Sequence, residues 1–266
     1  MSQSGAERVG EPPSLQIDGL VATIRLRRPA QANRLEAGDI EVLREYFRTL
    51  GEKREVRAVI LTGTGKHFSA GYNIGSVLAT LEAGQAEGSN GNAFATMVDA
   101  LEDLPQTTFC ALNGGVFGGS TDLALACDFR VGVLDTRMFM PAARLGLHYY
   151  PSGIRRFVSR LGLSAAKRLF LLAEELDSAQ MMQIGYLDAI VSAESLMDYV
   201  HSRARLAVAN APLATAGMKF ALNLIAHGAW DAAAVARNEL QCLASSDLRV
   251  GVAAWHEKRA ALFEGR

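Results

Sequence analysis

A strand followed by a glycine-containing loop and a helix occurs twice in the sequence, and this repeated unit constrains the fold more than any other feature. Residues 57–63 and 107–114 are apolar runs with the length of a buried β-strand. The loops after them, at 64–75 and 115–120, contain small residues, which let backbone N–H groups face a cleft. Two such loops on one sheet could supply two donors to one oxygen, as in an oxyanion hole; the glycines could equally serve only tight turns.

The rest of the chain divides into a β/α part and a helical part. Residues 1–14 are rich in charge, glycine and proline, without periodicity, which predicts a disordered leader. Residues 15–26 alternate with period two around Asp18 and Gly19, which predicts a β-hairpin. We therefore expect a β/α core over 15–195 and a helical region over 196–266.

Helical spacing of apolar residues predicts the first helix and most of the C-terminal region. Between residues 40 and 50 the apolar positions share one helical face, with Asp39 in the position of an N-cap and Gly51 in that of a C-terminal glycine. After about residue 152 strand patterns nearly vanish. Helices are predicted there at 153–175, 195–209, 212–226, 231–243 and 248–263.

Composition and charge exclude several classes of function. Lys and Arg number 27 and Asp and Glu 28, and the net charge of −1 argues against a broad nucleic-acid-binding surface. The three cysteines and five histidines show no ligand spacing, so no metal site is expected. No signal peptide or membrane span is recognisable, which predicts a cytoplasmic protein. Basic residues at 155, 156, 160, 167 and 168 have the helical spacing typical of a solvated face.

Two familiar catalytic motifs are present only in broken form. A phosphate-binding loop would need glycine six residues before Lys66 and a hydroxyl residue after it, and these positions hold Ile60 and His67. The GxSxG turn of serine hydrolases fails around Ser69, where it begins with His67, and around Ser120, where it ends with Asp122. Nucleotide hydrolysis and serine hydrolysis are therefore disfavoured.

Five segments, taken together in their order and separation, resemble the crotonase, or enoyl-CoA hydratase/isomerase, superfamily. The segments are LRRPAQANRL (26–35), FSAGYNI (68–74), NGGVFGGSTDLALACD (113–128), MPAARLGL (140–147) and AAWHEKRAALFEG (253–265). This resemblance implies an α/β spiral of ββα units with a C-terminal helical trimerisation region, assembled as a homotrimer or hexamer. It also implies an enzyme, a lyase or isomerase, that acts on an acyl-CoA thioester. Coenzyme A would be part of the substrate, with no prosthetic group.

The resemblance also assigns candidate catalytic residues. The two oxyanion donors would be the backbone amides of Ala70 and Gly119, which would hold the thioester oxygen and stabilise an enolate. Asp122 takes the place of the first glutamate of the family's hydratases, and Tyr149 resembles the tyrosine of a decarboxylating branch. The second hydratase glutamate is replaced by Ala142, which cannot transfer a proton. Hydration, another enolate reaction such as decarboxylation, and acyl-CoA binding without hydratase activity therefore all remain open.

Further positions match residues that contact coenzyme A or the acyl group in the family. Arg34 and Lys258 would contact the phosphates, and Trp255 would reach the coenzyme from a neighbouring subunit. Tyr150 stands where dienoyl-CoA isomerases carry an aspartate. The remaining candidates for binding are Ala32, Ser69, Ala70, Gly71, Tyr72, Asn73, Ile74, Phe117, Gly118, Gly119, Pro141 and Leu147.

Overall fold

A six-stranded sheet forms the centre of the computed structural model, which describes residues 10–75 and 90–266. Its strands lie in the order β1 (Glu11–Asp18), β2 (Val21–Arg27), β3 (Ala58–Gly63), β5 (Thr107–Leu112), β7 (Phe129–Val133) and β10 (Ala189–Val191). Only the β1–β2 pair is antiparallel among these neighbours. The central strands β3 and β5 are buried along their whole length, as expected for parallel strands covered on both faces.

A second, smaller sheet follows the ends of the central strands. It contains β4 (His67–Ser69), β6 (Gly115–Phe117), β8 (Arg137–Phe139) and β9 (Glu175–Asp177) in that order. The first two pairs are parallel and the β8–β9 pair is antiparallel. The predicted glycine loops thus contribute strands to a sheet of their own, which places the ends of the two loops next to each other.

Helices cover both faces of the large sheet. On one face the core includes Leu43, Met97 and Leu123, and on the other Val200 and Ala204 pack against the sheet. The helices are α1 (Ala37–Glu52), α2 (Asn90–Glu102), α3 (Gly119–Ala126), α4 (Pro151–Leu171), α5 (Ser178–Gln183), α6 (Leu196–Val208), α7 (Pro212–Ala226), α8 (Ala232–Ala244) and α9 (Ser246–His256). No helix within the described residues is long and apolar enough to cross a membrane.

Several predictions made from local patterns are confirmed, and the helix ends show where they fail. The hairpin forms around Gly19, with Asp18 opposite Val21. Asp39 is not the N-cap of α1: that position is Glu36, and Asp39 instead accepts from the backbone N of Glu36 at 3.0 Å and from Arg28 Nε at 2.7 Å. Gly51 lies inside the last turn of α1, which continues to Glu52.

The other departures concern short elements. Strand β1 begins at Glu11, inside the segment 1–14 predicted as a leader, and residues 1–9 lie outside the described part. Strands β9 and β10, each of three residues, and helix α5, of six, were missed because such short runs carry no detectable periodicity. Helix α4 ends at Leu171, earlier than the predicted 175, and its backbone departs from helical geometry at Gly162, where φ is +80°.

Candidate active site

The two glycine loops are in direct contact where they leave β4 and β6. Ser120 Oγ, on the second loop, donates to the carbonyl of Ser69 on the first at 2.8 Å. Gly71 has φ of +88°, and a Cβ atom placed on it would lie 2.7 Å from the carbonyl oxygen of Phe117 and 2.9 Å from the backbone N of Gly119. Both the backbone conformation and this close approach therefore require glycine at position 71.

The first loop has an available amide, but it does not belong to Ala70. The Ala70 N–H donates to the carbonyl of Ala32 at 2.7 Å, so the expectation that Ala70 is an oxyanion donor is wrong. The Gly71 N–H is also used, since it donates to Ser69 Oγ at 3.1 Å. Within the described residues, the amides of Tyr72 and Gly119 have no hydrogen-bond acceptor. These two amides are the candidate donors of an oxyanion hole.

The shift from residue 70 to residue 72 comes from a pairing that sequence patterns do not reveal. Segment 32–35 runs beside the first loop and forms a parallel bridge between Leu35 and Tyr72. The Leu35 N–H donates to the carbonyl of Gly71 at 2.8 Å, and the Asn73 N–H donates to the carbonyl of Leu35 at 3.0 Å. In a parallel bridge of this kind the N–H of the central residue points away from its neighbour, which leaves the Tyr72 amide unpaired.

Asp122, one turn into α3, is a fully buried carboxylate with both oxygens occupied. Arg156 Nη1 lies 2.8 Å from each carboxylate oxygen, and Tyr150 Oη donates to Oδ2. Burial raises the pKa of Asp122 above its ordinary value, against the opposing effect of the Arg156 charge. Asp122 has no exposed surface in this arrangement, so neither carboxylate oxygen is accessible to a water molecule that it would have to activate.

Arg156 connects the Asp122 carboxylate to two more acids on α2. Its Nη2 lies 2.6 Å from Asp99 and 3.1 Å from Glu102. Glu102 also accepts from Arg155 at 2.8 Å, and although burial alone would raise the pKa of Glu102, the charge of Arg156 brings it below the ordinary value. The prediction that these arginines form a solvated face is wrong for Arg156, which has no exposed surface, because acids from α2 and α3 converge on it.

An aromatic wall lies against the two loops. The ring of Phe94 stacks on Tyr72 at 5.7 Å between centroids and meets the edge of Tyr150 at 6.0 Å. A Cβ atom on Gly119 would come within 2.8 Å of Phe94 Cζ, so the Phe94 ring covers the start of α3. The place of Phe94 in the site depends on how α2 packs, which helical spacing in the sequence does not show.

Tyr149 lies behind Tyr150, away from solvent. Its ring stacks on Tyr150 at 4.4 Å between centroids, and only 8% of the residue is exposed. Among the described residues the Tyr149 hydroxyl has no hydrogen-bond partner, and burial raises the pKa of this phenol well above its ordinary value. The hydroxyl that contacts the Asp122 carboxylate belongs to Tyr150.

The predicted binding residues fall into groups with different surroundings. Arg34 is already paired, since its Nε lies 2.8 Å from Glu36 Oε1, and Asn73 Nδ2 donates to Glu36 Oε2 at 2.7 Å. The Ser69 hydroxyl is buried and donates to the carbonyl of Asn33 at 2.8 Å, while the Gly118 N–H donates to the carbonyl of Phe139 at 2.9 Å. All four contacts are made to other atoms of the protein.

The other predicted binding residues are more exposed. Ile74 is 38% exposed and Leu147 is 44% exposed, whereas Phe117 and Pro141 are half-buried. Trp255, 84% exposed, lies near the end of α9, and Lys258 follows that helix; both stay predictions that require a neighbouring subunit.

Gly153 offers a direct test of how tightly the cluster packs. A Cβ atom at this position in α4 would lie 2.4 Å from Tyr149 Cε1 and 2.8 Å from Asp122 Oδ2, whereas one on Gly38 in α1 would meet nothing within 4 Å. We expect Gly153→Ala to lower the free energy of unfolding by about 1–3 kcal/mol through overpacking. Gly38→Ala should leave it unchanged or raise it by up to about 1 kcal/mol. Denaturant unfolding measures both, and equal effects would contradict the packing described.

Comparison with known proteins extends over nearly the whole chain. The family model described as Enoyl-CoA hydratase/isomerase matches residues 16–266. A short-chain-enoyl-CoA hydratase from Clostridium acetobutylicum is 30% identical over 250 residues, covering 92% of this chain and 94% of the relative. A carnitinyl-CoA dehydratase from Citrobacter koseri is 32% identical over 202 residues, covering 76% of each chain.

Solved structures agree with the fold described above. The crystal structure of an enoyl-CoA hydratase/carnithine racemase from Magnetospirillum magneticum is 25% identical, with a TM-score of 0.89 over 96% of each chain. An enoyl-CoA hydratase from Bacillus anthracis is 26% identical, with a TM-score of 0.86 over 96% of this chain and 100% of that one. The predicted crotonase fold is confirmed, and the chain belongs to the enoyl-CoA hydratase/isomerase (crotonase) family.

Proposed function

We propose that this protein binds an acyl-CoA thioester and stabilises its enolate with the backbone amides of Tyr72 and Gly119. The observation that carries the proposal is that these two amides, on adjoining loops, have no acceptor among the described residues. A thioester oxygen that gains negative charge is stabilised by fixed donors of this kind, and each donor typically lowers the barrier by about 2.7–4 kcal/mol. Gly119 also begins α3, whose N-terminal dipole favours negative charge at the same place.

We propose an enolate reaction that does not depend on two carboxylates acting on water. Ala142, in the position of the second hydratase glutamate, is 4% exposed and carries no proton to transfer. Asp122, in the position of the first, is buried against Arg156 and Tyr150. Decarboxylation of an acyl-CoA that carries a carboxylate on its α-carbon fits these residues, since the C–C electron pair left by carbon dioxide forms the enolate and needs only the oxyanion donors and a proton source.

Hydration of an enoyl-CoA is the second candidate, favoured by the names of the hydratase and dehydratase relatives. A family member that binds acyl-CoA without turning it over is the third, and Ala142 favours it. These candidates differ in what they predict for the α-protons of a saturated thioester, because only an enolate-forming site labilises them.

Three measurements on the purified protein test the proposal. Bound acetoacetyl-CoA is expected to show the absorption of its enolate, and the α-protons of butyryl-CoA are expected to exchange with deuterium oxide, as followed by proton NMR. Crotonyl-CoA is expected to be hydrated far more slowly than by a two-glutamate hydratase. Binding of acetoacetyl-CoA without any α-proton exchange would favour the binding protein, and failure to bind any CoA ester would refute both readings.

We also propose that the chain assembles through its C-terminal helices. Helix α7 has no buried residue, and its apolar side chains at Met218, Leu222 and Ile225 are 60–66% exposed. An apolar groove of about 770 Å³ lies between α7, α8 and α9, with Trp255 on its border. Exposed apolar surface of this extent on helices is typical of a contact between subunits, and a homotrimer or hexamer would bury it.

A further inference from the structure

Of the two side chains bonded to the Asp122 carboxylate, Tyr150 is the one that a ligand can reach. Asp122 and Arg156 have no exposed surface, and Tyr149 is 8% exposed. Tyr150, the residue before α4, is partly exposed, and its hydroxyl donates to Asp122 Oδ2. Any group that exchanges a proton with this buried carboxylate therefore does so through the phenol of Tyr150.

Tyr150 also lies beside the proposed oxyanion donors. The Phe94 ring contacts both the Tyr150 ring and the space next to Gly119 Cα, so one aromatic ring separates the phenol from the start of α3. Asp122 is three residues after Gly119 on the same helix, which places it on the same helical face one turn further on. The Asp122 carboxylate and the Gly119 amide are therefore held by one short helix, and Tyr150 is bonded to the carboxylate.

We propose that Tyr150 and Asp122 form a proton relay for the α-carbon of the bound thioester, with Tyr150 as the catalytic residue and with Asp122 and Arg156 as positioning residues. This inference rests on the proposed function and adds the identity of the acid–base group. The family resemblance offered Asp122 and Tyr149 as candidates for the acid–base residue, and the proposal assigns that role to Tyr150.

The relay conserves protons and electrons in both directions. When the enolate forms, the α-C–H bond breaks, its electron pair moves into the enolate held by Tyr72 and Gly119, and the proton goes to Tyr150 Oη. The proton that Tyr150 held passes at the same time to Asp122 Oδ2, so the phenol is neutral before and after. Return of a proton to carbon, including the carbon left by departing carbon dioxide, follows the same path in reverse.

The surrounding charges suit such a relay. Burial and the nearby Asp122 charge raise the pKa of Tyr150 well above its ordinary value, so a lasting tyrosinate is disfavoured and a concerted transfer is preferred. Burial likewise raises the pKa of Asp122, which makes it a better proton acceptor than an exposed carboxylate. When Asp122 is neutralised, Arg156 keeps Asp99 and Glu102 as partners and is not left as an unpaired buried cation.

The relay requires an ionised Asp122 to begin proton removal, and this gives a pH dependence. The groups facing Asp122 are Arg156 and Tyr150, in direct contact, and Tyr149, Glu102 and Tyr186 through space. Exchange is expected to fall as the pH decreases through the pKa of Asp122. Because that pKa is raised, the fall should begin at a higher pH than an ordinary aspartate, with a pKa of about 3.9, would give.

Tyr150→Phe tests the relay with little change of shape, since the ring that contacts Phe94 and Tyr149 remains. We expect exchange of the α-protons of butyryl-CoA in deuterium oxide to slow on the order of a hundredfold, the usual contribution of one acid–base group. Enolate absorption of bound acetoacetyl-CoA should persist, because the amides are untouched. Tyr46→Phe is the control: it removes a hydroxyl that donates to the carbonyl of Pro13, and α-proton exchange should proceed as in the unmodified protein.

The results of these experiments distinguish failure of the proton relay from failure of the proposed function. If Tyr150→Phe exchanges within about threefold of the unmodified protein while acetoacetyl-CoA still binds as the enolate, the relay is wrong and the proposed function stands. If the unmodified protein neither binds acetoacetyl-CoA nor exchanges, the function fails first. An exchange rate that is flat from pH 7 down to the pKa of an ordinary aspartate would overturn the assignment of Asp122, whether or not any variant folds.

Discussion

Gly119→Pro is expected to exchange the α-protons of butyryl-CoA about 100 to 1,000 times more slowly than Gly119→Ala, a loss of about 2.7–4 kcal/mol of transition-state stabilisation. Both variants carry the Cβ atom that meets Phe94, at 2.8 Å before any adjustment. Only the proline lacks the backbone N–H proposed to hold the thioester oxygen. The difference between the two variants therefore reports the loss of that hydrogen, together with the ring carbon that takes its place, apart from the Cβ crowding that both share.

Proline is acceptable at this position for the fold. Gly119 is the first residue of α3, where the missing N–H is not needed within the helix and a fixed φ suits helical geometry. Thermal unfolding of both variants serves as the control for folding, and the acetoacetyl-CoA absorption should be lost in Gly119→Pro alone. Equal exchange in the two variants would remove Gly119 from the oxyanion hole.

The elements that could be predicted from the sequence are those specified by local patterns. Strands β3 and β5 are continuous apolar runs, and α7 was predicted with the observed ends, 212–226, because Pro212 begins it and the apolar spacing is regular. The close approach of the two loops followed from glycines at the ends of neighbouring strands. The prediction that small residues allow this approach is clearest at Gly71, because no side chain fits there.

The candidate donor amide and the proposed acid–base group both depend on contacts between distant segments. Whether Ala70 or Tyr72 has a free N–H is decided by segment 32–35, which takes the Ala70 amide through the carbonyl of Ala32. Tyr149 and Tyr150 are adjacent in sequence, and only the packing of α4 on α3 decides which hydroxyl meets Asp122. Hydrophobic patterns carry no information about either choice.

Arg156 illustrates the same limit for charged residues. Arginines spaced along a helix usually lie in solvent, and Arg168, half-exposed beside Glu174, does so. Arg156 is instead buried because α2 contributes Asp99 and Glu102 and α3 contributes Asp122 to one point. Each acid is unremarkable alone in the sequence, and their convergence becomes visible only when the three helices are assembled.

Arg156→Met is expected to lower the free energy of unfolding by about 3–5 kcal/mol, the usual cost of removing one partner from a buried ion pair. The variant leaves the Asp122 carboxylate fully buried without its cation, and Glu102 loses one of its arginines. Arg48→Met is the matched control, because Arg48 also pairs with two acids, Glu45 and Glu52, but is 59% exposed. Its loss should leave the midpoint of denaturant unfolding nearly unchanged, because solvent screens exposed ion pairs.

Adding Asp122→Asn to Arg156→Met separates the buried charge from the lost packing. If the unpaired carboxylate causes most of the damage, the double variant should be more stable than the sum of the two single losses predicts, by at least about 1 kcal/mol. The decrease in the free energy of unfolding caused by Arg156→Met should also become smaller as the pH is lowered. The Arg156 charge lowers the pKa of Asp122, so its removal raises the folded-state pKa further, and the folded variant takes up this proton at a higher pH than the unmodified protein or the unfolded chain. Strict additivity together with a pH-independent loss would show that Arg156 supports the site by its volume and not by its charge, and Asp122 would then need no cation to remain in place beside Tyr150.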